Sequence, residues 1–474
     1  MTRLLALMHG LAPRGLLAWM RGLAPRRLLV QLRTLRTPSQ EAIVNRVLKA
    51  FALVYLVWLI AAVMAYKTEF VQLMFTNLFF GIYSTCVTVY ILSRFLFSLF
   101  YRSKPDAGIE PCVAIVMPAF NEQEAIATSL RSLLALEYPP SKLELVAVND
   151  GSTDATLNEM RQVAGESDGR VSVIDFPENR GKRAAMAAGI RATAAEVIVF
   201  VDSDSVVDPG ALRKLVQPLD DPRVGAVCGH ADVLNVRETW LTRMQAVRYF
   251  VAFRVVKAAE SVFNAVTCCS GCFSAYRREA IMPRLQWWES QTFLGVESTF
   301  GDDRSLTNCV LRDWRVLYEK SAVSHTIVPT TFRAFVKQQT RWKRSWTRES
   351  LMVSRFIWRK HPVAAAFVYL SIVLPLIAPV AALHSIAWGP LMHGSTLPLI
   401  YAAGLYSLAV VYSLYYVLFQ DRYSVLWMYG ILFVFFYLAI MLWQTYYAIA
   451  TCRTASWGTR PATAGLAGGG DGGA

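Results

Sequence analysis

Val197-Ile198-Val199-Phe200-Val201-Asp202-Ser203-Asp204 begins as a five-residue apolar run and ends in two carboxylates on a short turn. The run has the length and β-branched content of a strand buried on both faces. Open α/β sheets bind their ligands outside the carboxyl ends of such strands. Two carboxylates held there are oxygen ligands of the kind that hard divalent cations, Mg²⁺ or Mn²⁺, select. A D-x-D triplet is common by itself, so its weight depends on what surrounds it.

Working outward, apolar runs alternate with helical patterns. Cys112 to Met117, Leu143 to Val148, Val171 to Ile174 and Val224 to Val227 read as further strands. Glu122 to Leu136, Ala155 to Val163, Lys182 to Ala194 and Ala211 to Leu215 read as helices between them. That alternation predicts a mostly parallel sheet. Pro118-Ala119-Phe120-Asn121-Glu122 closes the first strand and Asn149-Asp150-Gly151-Ser152-Thr153-Asp154 the second. Asp150 is placed to accept hydrogen bonds from a base or ribose, while a role for Asp150 and Asp154 in turn and cap formation stands beside that. Lys182 and Arg183 follow Gly181 and suit either a phosphate clamp or an exposed basic pair. Gly301-Asp302-Asp303-Arg304 opens another helix, where a carboxylate could take a proton from an acceptor hydroxyl or simply form an acidic first turn.

The polar block that carries these motifs is bracketed by hydrophobic segments. The chain is 54% hydrophobic and only 17% charged, which excludes an ordinary soluble protein. Val47 to Tyr66, Val71 to Tyr101, Val363 to Trp388, Leu397 to Phe419 and Val425 to Ala450 each reach the roughly 20 residues that a spanning helix needs. The first lies too far from the start, and is too long, for a secretory signal. Arg3, Arg14, Arg21, Arg26, Arg27, Arg33, Arg36 and Arg46 precede it against the single acid Glu41, which predicts a cytoplasmic N-terminus and, after two crossings, a cytoplasmic catalytic block. Gly10-Leu11-Ala12-Pro13-Arg14 recurs as Gly22-Leu23-Ala24-Pro25-Arg26, consistent with basic helices on anionic lipid or a basic tail. The net charge of +14 suits lipid headgroups and nucleotide diphosphates, since no nucleic-acid module is present. The scattered cysteines, Cys269 and Cys272 included, lie mostly in cytoplasmic segments, predict no disulfides and suggest packing beside the substrate.

After the block, Arg333, Lys337, Arg341, Lys343, Arg344 and Arg348 interleave with Phe335, Trp342 and Trp346, the composition of amphipathic helices at a membrane interface. Trp346 and Trp358 read as interfacial anchors, whereas Trp342 offers a sugar platform beside Arg341. The chain thus divides into a basic region 1–46, two spanning helices in 47–101, a cytosolic domain 102–329, interfacial helices 330–361, about three spanning helices in 362–452, and a Gly-rich tail 453–474.

These motifs, in this order, resemble the membrane-embedded, inverting family-2 glycosyltransferases that polymerise and export polysaccharides, with hyaluronan synthases and chitin-type synthases nearest. The resemblance covers 111–350 by motif and the flanking helices by layout. It implies a glycosyltransferase A-type α/β fold set in an α-helical transmembrane region. It also implies roles for the matching residues: Asp150 at uracil or ribose, Lys182 at the diphosphate, Asp202 at the nucleotide, Asp204 at the metal and Asp303 as general base. Gln338-Gln339-Thr340-Arg341-Trp342 matches the Q-x-x-R-W signature, with Gln338 in the motif, Arg341 near the pyrophosphate and Trp342 against the acceptor sugar. Phe293-Leu294-Gly295, Gly301 to Asn308, Ser345, Arg348 and Glu349 look most like hyaluronan synthase, although Cys272 replaces a residue that is often proline in the loop Ser270 to Arg278. Trp287-Trp288 would help hold an acceptor or pack on lipid. The implied activity is processive transfer from UDP-GlcNAc and UDP-glucuronate in the plasma membrane, with a divalent metal, UDP-sugar donors, a growing polysaccharide and membrane lipids as partners. A poly-GlcNAc synthase and a lipid-carrier transferase are the alternatives, and the oligomeric state stays open.

Overall fold

The structure is a computed structural model that describes residues 38–69, 78–393, 397–421 and 424–454. The repeated Gly-Leu-Ala-Pro-Arg segments, the arginines before Arg46 and the Gly-rich tail lie outside the described residues.

The domain between the apolar helices is built on an eight-stranded sheet. At its centre, β1 (Val113–Ala119) is flanked in parallel by β2 (Leu143–Asn149) and β4 (Val197–Phe200), with β3 (Val171–Asp175) outside β2. β7 (Ser274–Arg277) is inserted antiparallel between β4 and β6 (Val224–Val233). β6 pairs in parallel with β10 (Arg315–Thr326), and β5 (Ser205–Val207) closes that edge antiparallel. Thus the sheet is parallel-rich, and the antiparallel insertions are the part that apolar periodicity did not reveal. The separate hairpin β8 (Thr292–Phe293) and β9 (Val296–Glu297) turns on Leu294 and Gly295, both with positive φ.

Every residue of β1 is buried, as expected for a parallel strand covered on both faces. Val113, Ile115 and Met117 join one core with Ile126, Leu130 and Leu133 of the helix at 126–134 and Leu212 and Leu215 of the helix at 211–216. Ala114 and Val116 face the other core, with Ala185, Met186 and Ile190 of the helix at 182–191. That second core also takes in Phe356, Ile357, Ala364, Ala365 and Val368, so the sheet and the first helix of the C-terminal membrane region share one apolar interior. The domain is therefore fixed against the membrane helices by its own core.

Among the described residues four helical stretches, Glu41–Ala62, Leu78–Ser98, Pro362–Met392 and Pro398–Phe419, are long and apolar enough to span a bilayer; Val425–Met441 and Gln444–Ala450, bent by 42°, make a fifth if they count as one. On the first, Ile43, Val47, Phe51, Val54 and Trp58 are exposed at helical spacing, an outward stripe suited to lipid. The amphipathic helix Phe332–Ser354 docks along the bent pair. Gln444 Nε2 donates to Val336 O (3.4 Å) and Thr340 Oγ1 (3.3 Å), Lys343 Nζ donates to Met441 O and Thr445 Oγ1, and Arg344 Nε donates to Thr451 Oγ1 (3.0 Å). A break in a helix frees carbonyls for such donors.

Candidate active site

Because β1, β2 and β4 run parallel, their carboxyl ends open on one edge, and Asn121, Asp150 and Asp202 follow them there. Asp150 is 3% exposed. Its Oδ1 accepts the backbone N–H of Arg180 (2.8 Å) and Gly181 (3.1 Å), and its Oδ2 accepts Asn179 Nδ2 (3.1 Å). Burial raises its pKa above the ordinary carboxylate value, and these donors offset only part of that. At Gly151 (φ +66°) a side chain would collide with the backbone of Glu178 and Asn179. Asp150 and Gly151 together pin the loop that leads into the helix at 182–191.

That helix begins with Lys182, whose Nζ is ion-paired to Asp202 Oδ1. Burial works against the lysine charge, but Asp202, joined by Asp302 and Asp303, outweighs it and holds Lys182 above the usual lysine range. Lys182 therefore stays charged at neutral pH. Gly271 packs flat against the Asp202 carboxylate: a Cβ there would lie 2.8 and 2.9 Å from its two oxygens. Gly271→Ala is accordingly expected to displace Asp202 and weaken nucleotide binding about tenfold, as one imperfect charged contact warrants. Titration of UDP by calorimetry checks this, and unchanged affinity would remove Asp202 from the nucleotide site.

Asp204 sits where β4 gives way to β5. It is 5% exposed, and Thr326 Oγ1, from the end of β10, donates to its Oδ1 at 3.4 Å. Among the described residues no three His, Cys, Asp or Glu side chains form a cation cage. The carboxylates of Asp202 and Asp204 are oxygen donors of the kind a hard divalent cation takes beside phosphate oxygens and water. The cysteines are all free thiols. Cys269 and Cys272 are buried below the acidic residues, and burial, with Asp202 next, pushes Cys272 up to about 12.

Asp303 stands in the first turn of the helix Asp302–Leu311, after Gly301 in the left-handed conformation. Its Oδ1 accepts its neighbour Arg304's N–H (2.8 Å), and Cys268 Sγ lies 3.7 Å from its Oδ2. Burial, then Asp303 itself, pushes Cys268 up to about 12, so it faces Asp303 as a neutral thiol. Asp302 points the other way, into the protein. There it meets Arg183, which is turned inward and makes no phosphate clamp with Lys182. Trp287 is 51% exposed, but Trp288 is fully buried and can hold no acceptor directly.

The Q-x-x-R-W segment lies on the helix Phe332–Ser354. Gln338 Oε1 accepts Gln339 Nε2 (3.3 Å), Gln339 Oε1 accepts Arg248 Nη1 (2.7 Å), and Arg341 and Trp342 are half-buried. The Trp342 ring is 6.5 Å from that of Tyr249 and 5.4 Å from the Arg248 guanidinium. Burial, with Cys272 next, raises the Tyr249 phenol pKa, and the Asp204 and Asp202 charges add to it. Neither Arg248 nor Tyr249 belongs to a motif; their only sequence signal is an Arg-Tyr pair within an otherwise apolar helical run, Ala246 to Val251.

The family described as "Glycosyl transferase family 2" matches residues 114–284. A hyaluronan synthase from Streptococcus pyogenes is 31% identical over 385 residues, which are 80% of this chain and 90% of that protein. An N-acetylglucosaminyltransferase from Rhizobium meliloti is 36% identical over 243 residues, 51% of this chain and 57% of its own. Among solved structures, a mannosyltransferase from Pyrobaculum calidifontis, in complex with GDP-Man and Mn²⁺, aligns with a TM-score of 0.55 at 21% identity, over 78% of this chain and 99% of that one. This last likeness bears on the fold, a glycosyltransferase A-like α/β domain.

Proposed function

The chain belongs to the family-2 glycosyltransferases, in the group that includes hyaluronan synthase, and from that premise we propose that it is a processive, inverting polymerase that uses UDP-GlcNAc and UDP-glucuronate and passes the product through its own membrane helices. The observation that supports this is a sheet that carries the Lys182–Asp202 pair at its open edge and whose core continues into a membrane helix. A transferase acting on soluble acceptors has no need of that continuity.

Asp150 and Asp202 are assigned to the uridine, and Lys182 and Arg341 to the diphosphate, whose charge suits cations placed at point-contact range. Asp204 would hold Mg²⁺ or Mn²⁺ against the diphosphate, where a divalent cation neutralises the leaving group. Trp342, within the motif that Gln338 opens, stacks on the terminal acceptor sugar. Asp303 takes the proton from the attacking hydroxyl, the hydroxyl oxygen bonds to the anomeric carbon from the face opposite UDP, and the bond to UDP breaks, which inverts that centre. The basic N-terminal region supports a plasma-membrane protein with its catalytic domain in the cytoplasm, where UDP-sugars are made.

The similarity to an N-acetylglucosaminyltransferase favours one second reading, a polymer of GlcNAc alone. Detergent-purified protein with Mn²⁺ or Mg²⁺ decides between them by UDP release with UDP-GlcNAc, with UDP-glucuronate and with both. Hyaluronidase-sensitive polymer formed only with both donors is the expected result. Polymer from UDP-GlcNAc alone would overturn it, and no turnover would return a lipid-carrier transferase to first place.

A further inference from the structure

Lys182 and Arg183 are neighbours, yet their side chains close on two different acidic motifs. Lys182 pairs with Asp202 at the donor end of the site. Arg183 runs into the protein, 5% exposed, and its Nε donates to Asp302 Oδ1 at 2.6 Å, with Asp302 itself 4% exposed. Its Nη1 donates to Trp288 O (3.0 Å) and Gln291 Oε1 (2.7 Å), and the same Gln291 oxygen accepts Ser305 Oγ (2.7 Å) from the helix that carries Asp302 and Asp303. The Trp288 ring lies 5.4 Å from the guanidinium. One Arg183 donor thus meets the start of that helix directly and a second reaches it through Gln291 and Ser305, tying it to the start of the helix at 182–191.

Resting on the transferase assignment above, we propose that Arg183 and Asp302 form a positioning pair that sets Asp303 at working distance from the donor held by Lys182 and Asp202. Such a pair is a poor stabilising device. Both charges are withdrawn from water, a loss that their attraction repays only with good geometry, and apolar residues of similar volume commonly do as well. Arg183 Nη2 is moreover buried without a hydrogen-bond partner, an uncompensated cost that native interiors rarely carry. What the pair supplies is orientation. A planar guanidinium with several directed donors permits one placement of Asp302, and the adjoining residue inherits it. Gly301 reinforces the lock from the other side, since any side chain there would strike Ser345, and Arg348 Nη2 donates to Phe300 O. Asp303 therefore sits between a fixed glycine turn and a buried ion pair, while Lys182, one residue before Arg183, feels the charge of both Asp302 and Asp303.

The test uses full-length protein in detergent with three single variants, Arg183→Lys, Asp302→Asn and Arg191→Gln, and the Arg183→Lys/Asp302→Asn double variant. Arg183→Lys keeps the charge and loses the fork; Asp302→Asn keeps the shape and loses the charge. Arg191, on the same helix, makes an exposed ion pair with Glu289 and serves as the control. A displacement of the base of the order of an ångström costs about 100-fold in rate. We expect kcat for UDP release to fall by about that factor in Arg183→Lys and Asp302→Asn, with donor KM and UDP affinity unchanged, no further loss in the double variant, and full activity in Arg191→Gln. Variants that retain wild-type kcat would overturn the proposal. So would a parallel loss of kcat and UDP affinity, which is the mark of a purely structural role. If Arg183→Lys fails to fold, Asp302→Asn decides by the same split. An inactive wild-type protein in this assay counts against the transferase assignment, whereas active variants count against the positioning pair.

Discussion

Asp303→Asn is expected to abolish polymer formation while leaving UDP binding intact. The asparagine keeps the oxygen that accepts the Arg304 N–H and stays within reach of the Cys268 thiol, so the first turn of its helix need not move. What disappears is the ability to take a proton from an attacking hydroxyl. Positioned bases contribute roughly 10²- to 10⁴-fold, and each addition releases one UDP, so UDP release should fall by about three orders of magnitude. Asp302 cannot substitute for it, since that carboxylate is committed to Arg183 inside the protein. Calorimetric titration of UDP beside a coupled assay of UDP release separates binding from chemistry. Polymerisation near the wild-type rate would refute Asp303 as base and leave the acceptor proton to solvent or to the leaving group.

The strands that shape this site were legible because burial on both faces forces near-continuous apolar sequence. Val113 to Met117 and Val197 to Val201 carry that pattern and end in the residues that matter. β7 and β10 were not, for a physical reason. β7 is only Ser274-Ala275-Tyr276-Arg277, and β10 contains Glu319, Lys320 and Ser321 at a register shift between Tyr318 and Val323, where the chain leaves the ladder and polar residues are tolerated. At the site, the motifs identified Lys182, Asp202, Asp204 and Asp303 as candidates but misjudged Arg183 and Trp288. Successive residues on a helix point about 100° apart, so Lys182 and Arg183 cannot share a ligand, and Trp287 and Trp288 divide between surface and interior in the same way. Which member of each pair turns inward depends on Asp302, Gln291 and the sheet face beneath, contacts distant in sequence. Arg248 and Tyr249 were missed because their relevance comes only from packing against the helix at 332–354.

Asp204→Asn carries the second large effect, and it bears on how the two carboxylates of Asp202-Ser203-Asp204 divide their work. Asp202 is engaged by Lys182 and roofed by Gly271, so its charge is already answered within the protein. Asp204, 5% exposed at the start of β5, accepts the Thr326 hydroxyl at 3.4 Å. With the cation held by Asp204, as proposed above, its stabilisation is greatest as negative charge builds on departing UDP. An amide keeps the shape and the Thr326 contact but offers the cation a neutral oxygen. Losing several kcal/mol of charge stabilisation, at 1.36 kcal/mol for each factor of ten, implies a fall in turnover of about a thousandfold. Because the missing contribution is metal affinity as well as rate, the Mn²⁺ concentration for half-maximal activity should rise in the same variant. An Asp204→Asn protein whose Mn²⁺ titration overlays the wild-type curve would move the cation to Asp202, and the Lys182–Asp202 pair would then have to open each time a donor binds.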